Sequence, residues 1–227
     1  MNRRTFIKTI PAITLLAGTK TGFSENLEPI NLLPPKKNGG LSVLASLQER
    51  KTNRNISPKK LDPQTLSNLL WAAFGVNRTK AAFNKSGRTA ASASNSQEID
   101  LYIAMEEGVY LYDAVPHRLI PVVKGDFRAL AGRGSAGRAP INIFYVVDKS
   151  RYVLADWQPD KQIKDPEVQK SYYYVDTGLI AQNVFLYAAS QNLAAWFHNC
   201  NKKQTAEDFK LGPEQQVLFA QTVGYPV

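Results

Sequence analysis

Apolar residues fall at helical spacing in two early stretches. Leu41, Leu44, Ala45 and Leu47 predict a first helix that runs up to Arg50. Leu66, Leu69, Leu70, Ala73 and Phe74 make one apolar stripe, and its flanks carry start and stop signals. Asp62 can cap the first turn, Pro63 lacks an N–H where none is needed, and Gly75 can end the helix. The period then changes to two. Residues 101–104 and 109–112 alternate as strands, and Glu106-Glu107-Gly108 between them predicts a hairpin. Residues 141–147 form a continuous apolar run of the buried-strand type. Residues 178–189 are apolar almost all round, which predicts a central, buried helix. Thr205 and Asp208 read as a capping box opening a short helix over 205–211, and 217–223 is a last strand. Helices and strands mix without regular alternation, so the fold class is α+β, not a doubly wound parallel sheet.

The N-terminus reads as an address. Met1 to Lys8 is charged, and the apolar run at 10–18 that follows is too short to span a bilayer. Arg3-Arg4 followed by Phe6-Ile7-Lys8 resembles a bacterial twin-arginine signal, which predicts export of residues 1–24 as a signal peptide to the periplasm or cell envelope. Residues 25–40 hold three prolines and two glycines and read as a linker. One domain over 41–227 remains. The net charge is +9; the signal contributes four cations and no acid, so the rest carries +5. That excess suits an anionic ligand and is modest for a dedicated nucleic-acid binder.

Several chemistries are excluded. One cysteine and two histidines cannot build a multi-cysteine or histidine-rich metal centre. Cys200 lies two residues from His198, which does not establish a nucleophile–base pair. Asp113 and Asp126 have no paired carboxylate at helical spacing. Gly132 to Gly137 matches Gly-x-Gly-x-x-Gly but precedes a strand, the reverse of the dinucleotide context. Tyr172-Tyr173-Tyr174 reads as packing. Two stretches carry candidate chemistry. Arg50, Lys51, Thr52 and Arg54 gather three cations and a hydroxyl, a phosphate cradle or a solvated basic turn. Residues 87–98 pack small residues and hydroxyls around Arg88, Asn95 and Gln97. They suit a flat polar heterocycle, or simply a polar surface loop.

The order of these segments resembles the nitroreductase family of FMN-dependent oxidoreductases. It is closest to the branch that includes the SagB-type dehydrogenases. The resemblance rests on Glu49 to Arg54, Leu66 to Arg78, Gly87 to Gln97, Gly108 to Asp113, Ala139-Pro140, Asp176-Thr177-Gly178, Gln182-Asn183 and Val223 to Pro226. It implies a central, mostly antiparallel sheet flanked by helices, in a homodimer with FMN at each interface. It places Arg50, Lys51, Thr52 and Arg54 at the FMN phosphate and ribityl chain. Ser92, Ala93, Ser94, Asn95 and Gln97 would line the flavin, from the other subunit. His198 and Asn199 fall where the family offers backbone N–H groups near flavin N5. No catalytic side chain is implied. Hydride would pass in ping-pong fashion from a donor, with NAD(P)H a candidate, to a small nitro, quinone, enone or azoline acceptor. Three positions depart from the family pattern: Ala91 stands for Pro, Asn192 for Gly, and no cation follows Gly224-Tyr225-Pro226 before Val227. The departures leave open a flavin-binding protein without turnover. The basic stretch 50–60 leaves open a cell-envelope interaction protein.

Overall fold

The computed structural model describes residues 27–152 and 163–227; the expected signal peptide lies outside them. One antiparallel sheet of seven strands organises the described chain. The strands are β1 (Ile30–Asn31), β4 (Ile99–Ala104), β5 (Gly108–Asp113), β6 (Arg118–Lys124), β7 (Ile141–Asp148), β8 (Ala194–His198) and β9 (Gln215–Gly224), in the order β1-β6-β5-β4-β7-β9-β8. β2 (Val76–Arg78) and β3 (Gly87–Arg88) form a separate antiparallel ribbon. The predicted hairpin is β4–β5, closed by Met105 N–H donating to the Gly108 carbonyl at 2.9 Å. The 132–137 glycine loop leads into β7, as its context predicts.

β7 lies between β4 and β9 and shows why its run is uniformly apolar. Its alternate residues serve two cores. Ile143, Tyr145 and Val147 pack on the side of α2 (Pro63–Phe74) and α3 (Pro166–Ser190). Phe144 and Val146 pack on the other side with Phe209, at the end of α4 (Lys202–Asp208). The α2 signals act as read: Asp62 accepts from Thr65 N–H and hydroxyl. Gly75 ends the helix in an extended conformation instead of a left-handed one. A Cβ there would lie 2.4 Å from a Trp71 ring atom, so the glycine serves close approach.

Four expectations need correction. α1 (Val43–Glu49) turns Val43, Leu44 and Leu47 outward and buries Ser46, so its apolar face is uncovered among the described residues. α3 starts at Pro166, twelve residues before the predicted helix, capped by Asp165. It is not buried all round: Val168, Tyr172, Val175 and Leu179 form an exposed stripe at coiled-coil spacing. α4 begins after Asn201, whose side chain accepts from Gln204 N–H. Thr205 sits inside the helix, fully buried, because packing and not capping fixes it. Finally, the described part of the stretch read as a linker is bound to the domain. β1 pairs with β6, Ser67 donates to the Leu33 carbonyl, and Lys36 N–H donates to Asn68 Oδ1. No described helix is long and apolar enough to cross a membrane.

Candidate functional site

The chain leaves α1 at Arg50 and runs beside β8, the edge strand of the sheet. Asn53 N–H donates to the Ala195 carbonyl at 3.0 Å, and Ile56 bridges to Pro226. The Arg50 guanidinium lies over the Phe185 ring (5.3 Å to the centroid) and Arg54 over Trp196 (5.2 Å). A ring face holds a guanidinium without using its N–H groups. Among the described residues, no ion pair involves Arg50, Lys51 or Arg54. Lys51 and Thr52 are exposed, and Lys51 lines a cavity of about 620 Å³ with Asn53, Phe185 and Leu193. Among the described residues the three cations of the arm are therefore without counter-ions, and Lys51 and Arg54 are exposed.

β8 contributes its free edge. Because the Ala195 carbonyl points outward to Asn53, alternation also points the Phe197 N–H and carbonyl outward, while His198 turns toward β9 opposite Ala220. The outward backbone donors of this strand are thus Ala195 and Phe197, residues that the sequence pattern did not single out. His198 is committed inside the fold. Its ring packs on Trp196 (4.1 Å between centroids), Nδ1 lies 2.8 Å from the Asn199 carbonyl and Nε2 2.8 Å from Thr222 Oγ1. Burial holds the ring below the ordinary histidine range; Arg54 adds to this and the Asn199 carbonyl opposes it. Burial pushes the neighbouring Cys200 thiol up to about 11, so no reactive thiolate forms at neutral pH.

The 92–97 segment is a tight loop, with Ser94, Asn95 and Gln97 all at positive φ. Its side chains hold that shape from within. Ser92 Oγ accepts from Gln97 N–H; Asn95 Nδ2 donates to the Ala82 carbonyl; Gln97 Nε2 donates to the Ser86 carbonyl and Asn95 Oδ1. Arg88 lies over Phe74 and donates to Gln97 Oε1 at 2.7 Å. From α3, Asp176 accepts from Ala93 N–H at 2.9 Å. Asp176 is the support that composition alone did not reveal. A carboxylate on the apolar face of a helix was the available signal.

One chain does not bring the two clusters together. The loop meets α3 at Asp176 and the arm meets it at Phe185, nine residues on, about 13 Å along the axis. Asn192, one of the departures from the family pattern, adopts φ +53°. Asparagine tolerates this left-handed conformation better than other residues with a Cβ, so the replacement preserves the turn that glycine would make.

The sheet and the flanking helices define an α+β fold with a cationic edge. The chain matches the Nitroreductase family over residues 47–225 and belongs to that family, whose members are FMN-dependent oxidoreductases. A candidate nitroreductase from Ralstonia eutropha JMP134 shares 31% identity, covering 88% of this chain and 90% of its own, with a TM-score of 0.77. The NADPH:FMN oxidoreductase of Vibrio harveyi, complexed with NAD+, is 18% identical over 81% of this chain and 68% of its own, with a TM-score of 0.57. The McbBCD microcin synthetase complex of Escherichia coli is 18% identical over 97% of this chain and 84% of its own, with a TM-score of 0.59. These last two show the fold alone. No curated protein matches.

Proposed function

We propose that this protein is an exported FMN-dependent oxidoreductase acting as a homodimer. The observation that carries the reading is the open pair Arg50 and Arg54, held on aromatic faces with no carboxylate partner. Such guanidinium groups suit a phosphate, which they bind in forked geometry. Arg50, Lys51, Thr52 and Arg54 would hold the FMN phosphate and ribityl chain. The 92–97 backbone of the partner subunit and the free edge of β8, at Phe197 and Asn199, would flank the ring. FMN, when bound, supplies hydride chemistry. The protein's part is to bind and orient it and to set positive charge where the reduced ring becomes anionic. A small nitro, quinone, enone or azoline acceptor and a donor such as NAD(P)H complete the reading, and the azoline case would align it with the SagB-type branch.

The dimer rests on the exposed apolar stripe of α3 together with the outward face of α1. Exposed apolar faces of this kind mark association sites. It also accounts for the separation of the two clusters, since a second copy can supply the loop that one chain holds apart. The left-handed Asn192 favours a working site over a flavin-binding protein without turnover.

The visible spectrum of the purified protein tests this. A flavin spectrum, or one restored by added FMN, is expected, with bleaching by a reduced donor under anaerobic conditions. A colourless protein that ignores FMN overturns the reading. Export is tested by Arg3→Lys with Arg4→Lys, which is expected to keep the protein in the cytoplasm; unchanged export overturns the twin-arginine signal.

A further inference from the structure

Two carboxyl groups join the 92–98 segment to α3. Glu98 is fully buried at the start of β4. Its Oε2 accepts from Ser96 Oγ, while its Oε1 has no donor among the described residues. Within its reach lie the Asp176 carboxyl, on the buried face of α3 and bonded to Ala93 N–H, and the Tyr152 hydroxyl. Two ionised carboxylates have only acceptors to offer each other, and side by side in a buried place they repel. One proton between them turns repulsion into a hydrogen bond.

The nearby cations Lys85 and Arg151 both attract the Glu98 carboxylate. Lys85, from the 82–85 turn, reaches the Ser96 carbonyl at 3.3 Å. Arg151, from the turn after β7, donates to the Gln97 carbonyl but is already matched by Asp100 and Asp148. Tyr152 is held protonated by burial and by the Glu98 carboxylate, to which its hydroxyl is a second donor beside Asp176, and Tyr173 is held protonated by burial.

We propose that Asp176 keeps its proton at neutral pH and donates it to Glu98, and that this acid–carboxylate bond is the positioning element that fixes the Ala93–Gln97 backbone. On the flavin reading above, on which this last consequence rests, it thereby tunes the affinity for FMN. Burial and the Glu98 carboxyl push Asp176 up to about 8. The neutral form is favoured in the fold, so the bond holds below that pH and fails as pH rises through it.

Two measurements on the full chain without flavin test the bond. The infrared spectrum at about pH 7 is expected to show the carbonyl stretch of a protonated carboxylic acid. That band should disappear in Glu98→Gln and in Asp176→Asn, and in the wild type by about pH 9.5. Hydrogen exchange of the 92–97 amides should accelerate more steeply across that range in the wild type than in Glu98→Gln, whose amide donates to Asp176 at every pH. A missing acid band, a band unchanged in both variants, or parallel exchange profiles overturn the proposal. FMN titration then tests the consequence separately. The wild type should bind at least about tenfold more weakly at the higher pH, and Glu98→Gln should not. If the flavin-free measurements hold but FMN does not bind, the flavin reading falls and the acid–carboxylate bond stands.

Discussion

The 50–54 arm and the 92–97 loop are both polar, and they spend that polarity in opposite directions. The arm displays it. Arg50 and Arg54 rest on ring faces, so their N–H groups stay available. The loop consumes it. Asn95 and Gln97 donate to carbonyls at 82 and 86, and Arg88 is spent on Gln97 and Phe74. What the loop can offer a ligand is therefore its backbone, held in a strained shape, more than its side chains. Residues of similar polarity at a shared candidate site should then fail differently when mutated: the arm through binding, the loop through folding.

The largest test concerns whether the two regions act together at all. Val175→Glu with Leu179→Glu places charge in the middle of the exposed α3 stripe. Neither side chain supports the core, so the fold should survive. Light scattering should report a monomer and FMN binding should be abolished, because each arm then lacks its partner's loop. A monomer that still binds FMN with wild-type affinity would show that one chain suffices.

Next comes the arm alone. Hydrogen bonds to charged groups contribute about 1.5–3 kcal/mol each, or roughly tenfold to a hundredfold in affinity. Arg50→Ala and Arg54→Ala should each weaken FMN binding by about that factor, measured by flavin fluorescence, with little change in melting temperature. Added salt should narrow the difference from wild type. A large fall in melting temperature would mean that stacking on Phe185 and Trp196 is structural.

The loop should behave in the contrary way. Gln97→Ala removes an acceptor from Arg88 and donors from two oxygens. Leaving such groups unpaired costs about 1–3 kcal/mol, several degrees in a chain of this size. Calorimetry should show that loss with or without flavin. If Gln97→Ala instead keeps its melting temperature and loses only FMN, the side chain contacts ligand and the contrast between arm and loop collapses.

The legibility of these regions follows from how local their causes are. α2 announces itself because cap, proline and stripe lie within one segment, and β4–β5 because strand, turn and strand are contiguous. The arm was readable for the same reason: its cations cluster in sequence. Its rings were not, since Phe185 and Trp196 arrive from α3 and β8, more than a hundred residues away. β6 is interrupted by Pro121 and has charged ends, and β8 is short and ends on a histidine. The first half of α3 hid behind a polar start and three tyrosines, one of which meets Phe219 edge-on. Leu179, read as buried and found exposed, misled because an apolar pattern reports burial without saying whether the cover comes from the same chain.

The smallest effect sharpens the comparison from outside both regions. His117 belongs to the inward kind. It sits at positive φ in the β5–β6 turn, its Nε2 2.8 Å from Ser67 Oγ and its Nδ1 2.9 Å from the Tyr112 hydroxyl. Ser67 gives its proton to the Leu33 carbonyl, so the ring donates from Nε2 and accepts from Tyr112 at Nδ1. Protonation would strip Tyr112 of that acceptor. Burial keeps His117 below the ordinary histidine range, against the pull of the Leu33 carbonyl. The folded state thus prefers the neutral ring. Its contribution is complete above about pH 6.5, where the unfolded histidine is also neutral, and declines as pH falls toward the folded value. Melting temperature should drop by a few degrees across that window. His198 titrates in the same direction, so His117→Gln, which keeps a donor and loses the titration, is the control that isolates His117. FMN affinity relative to this control should stay flat over the window, because an inward cluster governs stability alone. A matching loss of FMN affinity in the wild type would mean that inward polar groups and outward ones are coupled, and the division drawn between loop and arm would not describe this protein.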